Sequence, residues 1–372
     1  MKVGILTFHF AHNYGAMLQA YATSIYLRKL GFNAEIIDYR LPFIYRYNHE
    51  MFGFWGLFQR YRENNGIILS VIKTIFKYWS HRHPGKKWFR FEDFLNNTMI
   101  KSDRIYDINI INRMGYDAIV CGSDQIWNAR LTGGLIPEYF GYGLSKDIIK
   151  IAYAGSNGAT IVDLDLFPLF KKYISSFRAV SIREKGLSDF LNSHGIFNIQ
   201  VLDPIFLLDK EEWHSIAIKP KEKEYVLTYS FNEPDFFFEM AQNVARTIGK
   251  KLVCFLFDYN KKLPSSVIQI TDGGPREFLG YIENADFIIS NSFHGTAFSI
   301  LFERQFICVP PTTGRERIDS LLSLLTLSYR ICTTLHYPNN IIDSLIDYQS
   351  VNSIIESQKK ISQNFFIENL KK

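Results

Sequence analysis

The chain has 372 residues, of which 47% are hydrophobic and 21% charged, enough apolar side chains for the cores of two ordinary globular domains. Basic residues exceed acidic ones by five, which suits an anionic ligand but excludes a typical nucleic-acid-binding protein. The four cysteines lack metal-ligand spacing, and no apolar run resembles a signal peptide or approaches the ~20 residues that cross a bilayer. We therefore expect reduced thiols, a cytoplasmic location and at most peripheral membrane contact.

The first half of the chain alternates short β-rich runs with helical patterns. The run KVGILTF at 2–8 predicts a buried strand, and residues 16–30 show a helical pattern that ends at Gly31, where a left-handed cap is expected. This alternation predicts a parallel sheet covered by helices on both faces. Further strands are predicted at 34–39, 117–121, 150–154, 179–183 and 198–202.

A second α/β series follows Asp203-Pro204 and the polar segment KPKEKE. We predict two α/β domains in tandem, 1–208 and 209–345, and a C-terminal helix within 346–372 that packs across their join. The strands of the second series are predicted at 225–230, 251–257, 267–271, 286–290 and 306–309, with helices near 235–249, 275–284 and 295–304.

Residues 41–105 form an insertion in the first domain that is rich in aromatic and basic residues, as in FKYWSHRHPGKKWFRF. We expect it to be helical. One interpretation is an amphipathic subdomain whose aromatic side chains pack together and whose basic face is solvated. The other is a platform for a carbohydrate or an anionic, lipid-linked acceptor, because aromatic faces stack on sugars and basic side chains attract phosphates.

The segment NSFHGTAFSI at 291–300 places His294 and Gly295 between a predicted strand and a predicted helix. Helix N-termini present unpaired N–H groups and favour anions, and a glycine there lets a ligand approach the backbone. A histidine in this position can hold a phosphate or carboxylate or transfer a proton at neutral pH. The alternative is a histidine that caps the helix or packs in the core.

Three other strand ends carry polar side chains. Arg183 suits a carboxylate or phosphate, since its guanidinium binds either in a bidentate way, but a salt bridge to Glu184 or a nearby aspartate is the alternative. Asp124 is either a general base or the cap of the following helix. The turn FAHNYG brings Asn13 and Gly15 to the end of the first strand. GxGxxG after that strand, Walker A, HExxH and GxSxG motifs are absent, which disfavours NAD enzymes, P-loop ATPases, zinc proteases and α/β-hydrolases.

Six segments of the chain, taken together and in their sequence order, resemble the polysaccharide pyruvyl transferase family. The resemblance implies an α/β architecture of two Rossmann-like domains, similar to GT-B glycosyltransferases, with the active site in the cleft between them. It also implies transfer of the pyruvyl group of phosphoenolpyruvate to sugar hydroxyls, which gives a pyruvate ketal and phosphate. The segments are NYGAMLQAY (13–21), YDAIVCGSDQIWN (116–128), KIAYAGSNG (150–158), AVSIREKGLS (179–188), VLDPIFLL (201–208) and NSFHGTAFSILF (291–302).

The resemblance also suggests roles for individual residues. It implies that His294 binds or protonates phosphoenolpyruvate, that Arg183 holds the anionic groups of this donor, and that Asp124 lies near the acceptor. It implies no metal and no cofactor, and the expected partners are phosphoenolpyruvate and a glycan acceptor, free or lipid-linked, without nucleic acid. Further contacts with substrate are expected from Asn13, Gly15, Ser156, Ser292, Gly295 and Thr296.

The sequence departs from the family at one position of the predicted site. Where family members often have Arg-Leu before His-Gly, this chain has Ser292-Phe293. A second phosphate-binding arginine is therefore missing from its usual place, and either Arg315, Arg317 or a lysine substitutes for it, or the donor differs. The competing functions are a GT-B-type glycosyltransferase that uses a nucleotide sugar and a non-catalytic protein of polysaccharide assembly.

Overall fold

Two parallel β-sheets, each flanked by helices, form the framework of the protein. All strand pairs between the assigned strands are parallel. The computed structural model describes residues 1–40, 71, 85–231, 233–256, 263–311, 314–335 and 341–371.

The first sheet contains six strands, and three of them are buried along nearly their whole length. Every residue of the segment AIVC at 118–121 is buried, as expected for a strand covered on both faces. The strands are β1 (Lys2–Leu6), β2 (Asn33–Ile36), β3 (Ala118–Cys121), β4 (Ile149–Gly155), β5 (Ala179–Ile182) and β6 (Ile199–Gln200). Their order in the sheet is β2-β1-β3-β4-β5-β6. The central strands β1 and β3 pair in parallel, and their carboxyl ends lie side by side.

The second sheet contains five strands and begins after the predicted boundary at residues 208 and 209. Its strands are β7 (Tyr225–Tyr229), β8 (Lys251–Phe255), β9 (Ile268–Ile270), β10 (Phe287–Ser290) and β11 (Gln305–Cys308). Their order is β11-β10-β7-β8-β9. The central strands β7 and β10 are buried along their whole length. As in the first sheet, all carboxyl ends point to one edge.

Helices cover the faces of both sheets. The first of them is capped by Asn13, whose Oδ1 accepts the backbone N–H of Ala16, and it is followed by Gly31 at φ 88°, the left-handed conformation predicted there. The helices are α1 (Tyr14–Lys29), α2 (Lys86–Asp93), α3 (Ala129–Thr132), α4 (Phe167–Ile174), α5 (Lys185–Ser193), α6 (Lys210–Ile216), α7 (Phe237–Ile248), α8 (Pro275–Glu283), α9 (Phe293–Leu301), α10 (Glu316–Leu324) and α11 (Tyr348–Leu370). Short 3₁₀ turns lie at Ile108–Arg113, Pro137–Phe140, Pro204–Leu207 and Ser328–Arg330.

The C-terminal helix α11 contacts both halves of the molecule. At its start, the Tyr348 hydroxyl donates a hydrogen bond to the carbonyl of Arg304, beside the second sheet. Farther along, Ser362 accepts a hydrogen bond of 2.9 Å from the Tyr153 hydroxyl on β4, and the Phe366 ring stacks on Tyr153 with 4.3 Å between centroids. The helix therefore runs from one sheet to the other.

Most of the predicted insertion, residues 41–84, lies outside the described residues apart from residue 71, and so does most of its possible ligand platform. The described end is helical: α2 continues as a π-helix over Phe94–Thr98. Its basic side chains contact the second half of the chain. Lys87 Nζ donates to the Leu256 carbonyl at 3.2 Å, and Arg90 pairs with Glu277 at 3.1 Å. In this part, then, the basic residues bind protein and are not simply solvated.

The four cysteines are all buried and unpaired. Burial raises the pKa of the Cys254 thiol to about 12, which keeps it protonated and unreactive. Among the helices within the described ranges, none has both the length and the apolar character to cross a bilayer.

Candidate active site

A cavity of about 630 Å³ lies where the carboxyl ends of the two sheets meet. Its lining comes from the segments that follow β1, β3, β7, β10 and β11, which is the usual location of ligand sites in parallel α/β sheets. Both halves of the molecule therefore contribute to one cavity. The lining residues are Asn13, Gly15, Asp124, Gln125, Leu131, Tyr229, Phe231, Asn291, Ser292, Phe293, His294, Pro311, Gly314, Arg317 and Ile318.

His294 lies in the first turn of α9, directly after β10. Ser292 is the N-cap of this helix, and its hydroxyl oxygen accepts the N–H of Gly295 at 3.3 Å. The imidazole packs against α1 of the opposite half: a Cβ on Gly15 would lie 1.9 Å from His294 Nδ1. The lack of a side chain at Gly15 therefore makes room for the imidazole. Gly15 also lines the cavity, so its predicted contact with substrate stays a prediction.

Beneath His294 lies Asp203, from the segment VLDP after β6. Its Oδ2 is 3.7 Å from His294 Nε2 and accepts a hydrogen bond of 2.6 Å from Arg183 Nη1. The Ser123 hydroxyl donates to the same oxygen at 3.3 Å, and the Ile205 N–H donates to Oδ1 at 3.1 Å. Burial alone would raise the pKa of Asp203, but His294 and Arg183 together hold it well below its usual range. Asp203 is thus a permanent buried carboxylate facing the imidazole.

Arg183 does not line the cavity. Its Nη1 binds Asp203, its Nε lies 3.0 Å from Glu184 Oε1, and its side chain is only 4% exposed. The structure therefore shows the salt-bridge alternative for Arg183. The prediction that Arg183 binds a donor anion directly is corrected. Ser156 also lies in this buried layer, since its hydroxyl donates to Glu184 Oε1 at 2.8 Å and does not face the cavity. A buried arginine at the end of a strand needs carboxylate partners, and Arg183 has two, Asp203 and Glu184.

The remaining predicted contacts divide between the cavity and the core. Asn13 and Ser292 both line the cavity and both cap helices. Gly295 and Thr296 do not line it. A Cβ on Gly295 would lie 2.4 Å from Ser290 Oγ, so that glycine allows tight packing of α9 on β10. Thr296 is completely buried, and its hydroxyl contacts Cys308 Sγ at 3.5 Å; its predicted contact with substrate is corrected in the same way.

Asp124 lines the cavity from the opposite side, after β3. It has φ 65°, a left-handed conformation that is uncommon outside glycine and tends to cluster at functional sites. The alternative that it caps the next helix is excluded, because Asn128 caps α3 by accepting the N–H of Arg130. Asp124 Oδ1 accepts only the adjacent N–H of Gln125, at 2.8 Å. Within the described ranges it has no cation within salt-bridge distance, and it remains a candidate base.

The structure separates the two arginines that the sequence left as possible substitutes. Arg315 forms a salt bridge of 2.7 Å with Asp319 and does not line the cavity. Arg317 lines the cavity, and its guanidinium carbon lies 5.8 Å from the centroid of the Phe293 ring. Burial lowers the pKa of Arg317, and the nearby Arg183 guanidinium lowers it further. The cavity therefore contains one arginine that is held close to another cation.

Sequence reasoning missed Asn291 and the aromatic pair Tyr229 and Phe231. Asn291 Oδ1 accepts the N–H of Phe231 at 2.8 Å, and its Nδ2 donates to the carbonyl of the same residue at 2.6 Å. These two bonds fix the loop after β7 against the loop after β10. A signal was available: Asn291 directly follows a predicted strand, where polar side chains reach the ligand edge of the sheet.

Among the residues for which the structure gives positions, no group of three or more His, Cys, Asp or Glu side chains is arranged to hold a metal ion.

Comparison with known proteins gives the family. A family model for polysaccharide pyruvyl transferases matches residues 13–312, which covers most of the chain. The chain belongs to the polysaccharide pyruvyl transferase family. Membership in this transferase family confirms the predicted resemblance and supports an enzyme whose acceptor is a glycan. No curated protein matches the sequence.

Solved structures show the same fold at low sequence identity. The S. aureus MnaA–UDP co-structure is 11% identical, with a TM-score of 0.52, over 100% of this chain and 98% of that one. The UDP-GlcNAc 2-epimerase from Neisseria meningitidis bound to UDP-GlcNAc is also 11% identical, with a TM-score of 0.50, over 97% of this chain and 94% of that one. These similarities confirm the predicted GT-B-like fold of two Rossmann-like sheets.

Proposed function

We propose that the protein transfers the pyruvyl group of phosphoenolpyruvate to two hydroxyls of a sugar in a polysaccharide, such as an exopolysaccharide, or in its precursor. The product is a pyruvate ketal, and phosphate is released. The observation that carries the proposal is the position of His294, which faces the cavity and is backed by the buried carboxylate of Asp203. A histidine that lines a cavity in this way can transfer a proton to a bound ligand.

Donor binding depends on the charges around the cavity. The buried layer contains one arginine, Arg183, and two carboxylates, Asp203 and Glu184, so the side that faces His294 carries one more negative than positive charge. Phosphoenolpyruvate brings about three negative charges. In the proposal, Arg317 and protonated His294 meet these charges directly, and Arg183 acts behind them by fixing Asp203.

The chemistry then requires an acid and a base on opposite sides of the donor. His294 gives a proton to C3 of phosphoenolpyruvate, and C2 takes on oxocarbenium character. The first sugar hydroxyl, whose proton passes to Asp124, forms a bond to C2. The bond between C2 and the phosphate oxygen then breaks, the second hydroxyl attacks C2, and its proton leaves with the phosphate. A positioned acid or base of this kind contributes a factor of roughly 10²–10⁴ to the rate.

His294 and Asp124 reach the cavity from different halves of the molecule, after β10 and after β3. This placement supports the two separate roles, since an acid and a base on different walls can act on C3 and on the attacking hydroxyl at the same time. Phosphoenolpyruvate as donor, a cytoplasmic location and the lack of a cofactor remain part of the proposal.

A second candidate is a glycosyltransferase that uses a nucleotide sugar. It is favoured by the fold, because the two similar structures described above hold UDP and UDP-GlcNAc. Their identity of 11% extends this likeness to the fold alone. Against it stands the family match over residues 13–312, which describes pyruvyl transfer.

A ligand-dependent unfolding experiment separates these functions. We expect phosphoenolpyruvate to raise the unfolding temperature, since a ligand at 100 times its Kd stabilises the folded state by about 2.7 kcal/mol. UDP, UDP-GlcNAc and a GDP-sugar serve as the comparison. Stabilisation by a nucleotide sugar alone would support the glycosyltransferase, and no response to any ligand would support a non-catalytic protein. Release of inorganic phosphate from phosphoenolpyruvate with candidate glycans then identifies the acceptor.

A further inference from the structure

Arg317 differs from the other arginines near the site because it has no carboxylate partner. Arg183 is paired with Asp203 and Glu184, and Arg315 is paired with Asp319. Over the part of the chain that the structure describes, no acidic oxygen lies within 4.0 Å of the Arg317 guanidinium, and its buried Nε has no hydrogen-bond partner. A buried donor without a partner is costly, so such groups usually have a ligand or a functional role.

The position of Arg317 directs it into the cavity. It lies in the first turn of α10 and lines the same cavity as His294 and Phe293. The Phe293 ring is within cation–π distance of both nearby guanidinium groups, at 4.7 Å from Arg183 and 5.8 Å from Arg317. A cation in the position of Phe293 would be repelled by Arg183. The aromatic ring of Phe293 instead offers its face to Arg317.

We propose that Arg317 is the residue that binds the phosphate group of the donor, in place of the arginine whose position Ser292 occupies. The fork of an arginine matches two phosphate oxygens, and an anion supplies the partner that this guanidinium lacks. The inference rests on the proposed function for the identity of the donor, but it requires only that the donor carries a phosphate. Specificity for a phosphate-bearing donor then comes from α10 and not from the turn before His294.

Direct binding measurements test this assignment. Calorimetric titrations with phosphoenolpyruvate, UDP and inorganic phosphate give the Kd for the unmodified protein and for Arg317→Gln, Arg317→Lys and Arg315→Gln. We expect Arg317→Gln to weaken binding of the phosphate-bearing ligand by about tenfold or more, the range for losing a hydrogen bond to a charged group. The Kd of Arg317→Lys should lie between those of the unmodified protein and Arg317→Gln, because lysine keeps the charge but cannot bind two phosphate oxygens with a planar guanidinium. The Kd of Arg315→Gln, whose residue is the N-cap of the same helix, should stay within about twofold of the unmodified protein.

A second readout excludes a merely structural role. Without ligand, Arg317→Gln should unfold at the same temperature as the unmodified protein or a higher one, because the substitution removes a desolvated cation that lies near Arg183 and forms no salt bridge within the described residues. Unchanged affinity in Arg317→Gln would overturn the inference, as would equal losses of affinity in Arg317→Gln and Arg315→Gln. If phosphoenolpyruvate binds with the same Kd to the unmodified protein and to Arg317→Gln, only this inference fails and the proposed donor stands. Binding of UDP alone, with dependence on Arg317, overturns only the proposed donor. If the unmodified protein binds none of the three ligands, both proposals fail.

Discussion

The protein contains two buried histidine–aspartate pairs at the carboxyl edge of its sheets, and they differ in how completely the histidine is bonded. In the first pair, His9 Nε2 lies 3.0 Å from Asp38 Oδ1, and its Nδ1 lies 3.0 Å from the carbonyl of Thr7. In the second, His294 Nε2 lies 3.7 Å from Asp203 Oδ2 and has no hydrogen-bond partner among the described residues. Only the second pair lines the cavity.

We interpret this difference as one between a structural histidine and the histidine of the proposed active site. Each aspartate has a pKa held well below its usual range against the opposing effect of burial, by His9 and Arg40 in one case and by His294 and Arg183 in the other. The carboxylates are therefore alike, and the bonding of the imidazole is what distinguishes the pairs. A ring with both nitrogens bonded is held in place, whereas a ring with an unbonded nitrogen beside a cavity can take up and deliver a proton.

The largest effect is expected from removing the buried carboxylate of the second pair. Asp203→Ala leaves Arg183 with Glu184 as its remaining acidic partner, and breaking a buried ion pair in this way costs about 3–5 kcal/mol of the free energy of unfolding. Urea denaturation measures this loss. As the control, Asp189→Ala removes the partner of Lys185 in an exposed pair and should cost no more than about 0.5 kcal/mol. Equal losses in the two variants would show that the Asp203 cluster is not held as described.

A large effect on the reaction, without a comparable effect on folding, is expected at His294. His294→Ala should lower the rate of phosphate release from phosphoenolpyruvate at least about a hundredfold, because the general acid is lost. The variant should still fold, because Asp203 keeps its 2.6 Å salt bridge to Arg183. A rate close to that of the unmodified protein would remove His294 from the mechanism.

The matched control for this prediction is the other histidine. His9→Gln breaks two buried contacts, to Asp38 and Thr7, and should lower the free energy of unfolding by about 1–3 kcal/mol. Its turnover, measured where the variant is fully folded, should stay within about threefold of the unmodified protein, a change of less than about 1 kcal/mol in the activation barrier. A loss of activity as large as that of His294→Ala would mean that the bonding pattern does not separate the two roles.

Much of this framework follows from the sequence, because buried parallel strands are continuous apolar runs. Each run predicted as a strand overlaps an observed strand, and the differences lie at the ends. The predicted strand at 198–202 shrinks to Ile199–Gln200, since β6 is an edge strand with one neighbour and the chain then turns into the Asp203 segment. The left-handed Gly31 and the position of His294 at the start of a helix were also predictable from local rules.

The pairing within the site was not predictable in this way. Asp203 was visible only as part of an Asp-Pro boundary, because its partners Arg183 and His294 are distant in sequence and meet only after both sheets have formed. The choice between Arg315 and Arg317, in contrast, depends on a local signal that sequence reasoning missed. Both are in one short segment, and the presence of Asp319 four residues after Arg315 decides which of them is already paired.

The smallest effect is the acid dependence of stability, and it tests what the two pairs share. A carboxyl whose pKa is depressed in the folded protein adds stability that is complete above its ordinary pKa of 3.8 and is lost as the pH falls toward the folded value. In that window the unfolded chain holds one more proton, so the free energy of unfolding falls by about 1.4 kcal/mol per pH unit for each such group. Urea denaturation between pH 4 and about pH 2.5 should therefore show a slope that is shallower by about this amount in Asp203→Asn and in Asp38→Asn alike. An unchanged slope in Asp203→Asn would mean that its carboxyl has an ordinary pKa and does not support a protonated imidazole. Equal slopes combined with unequal turnover would locate the functional difference in the imidazole and not in the carboxylate.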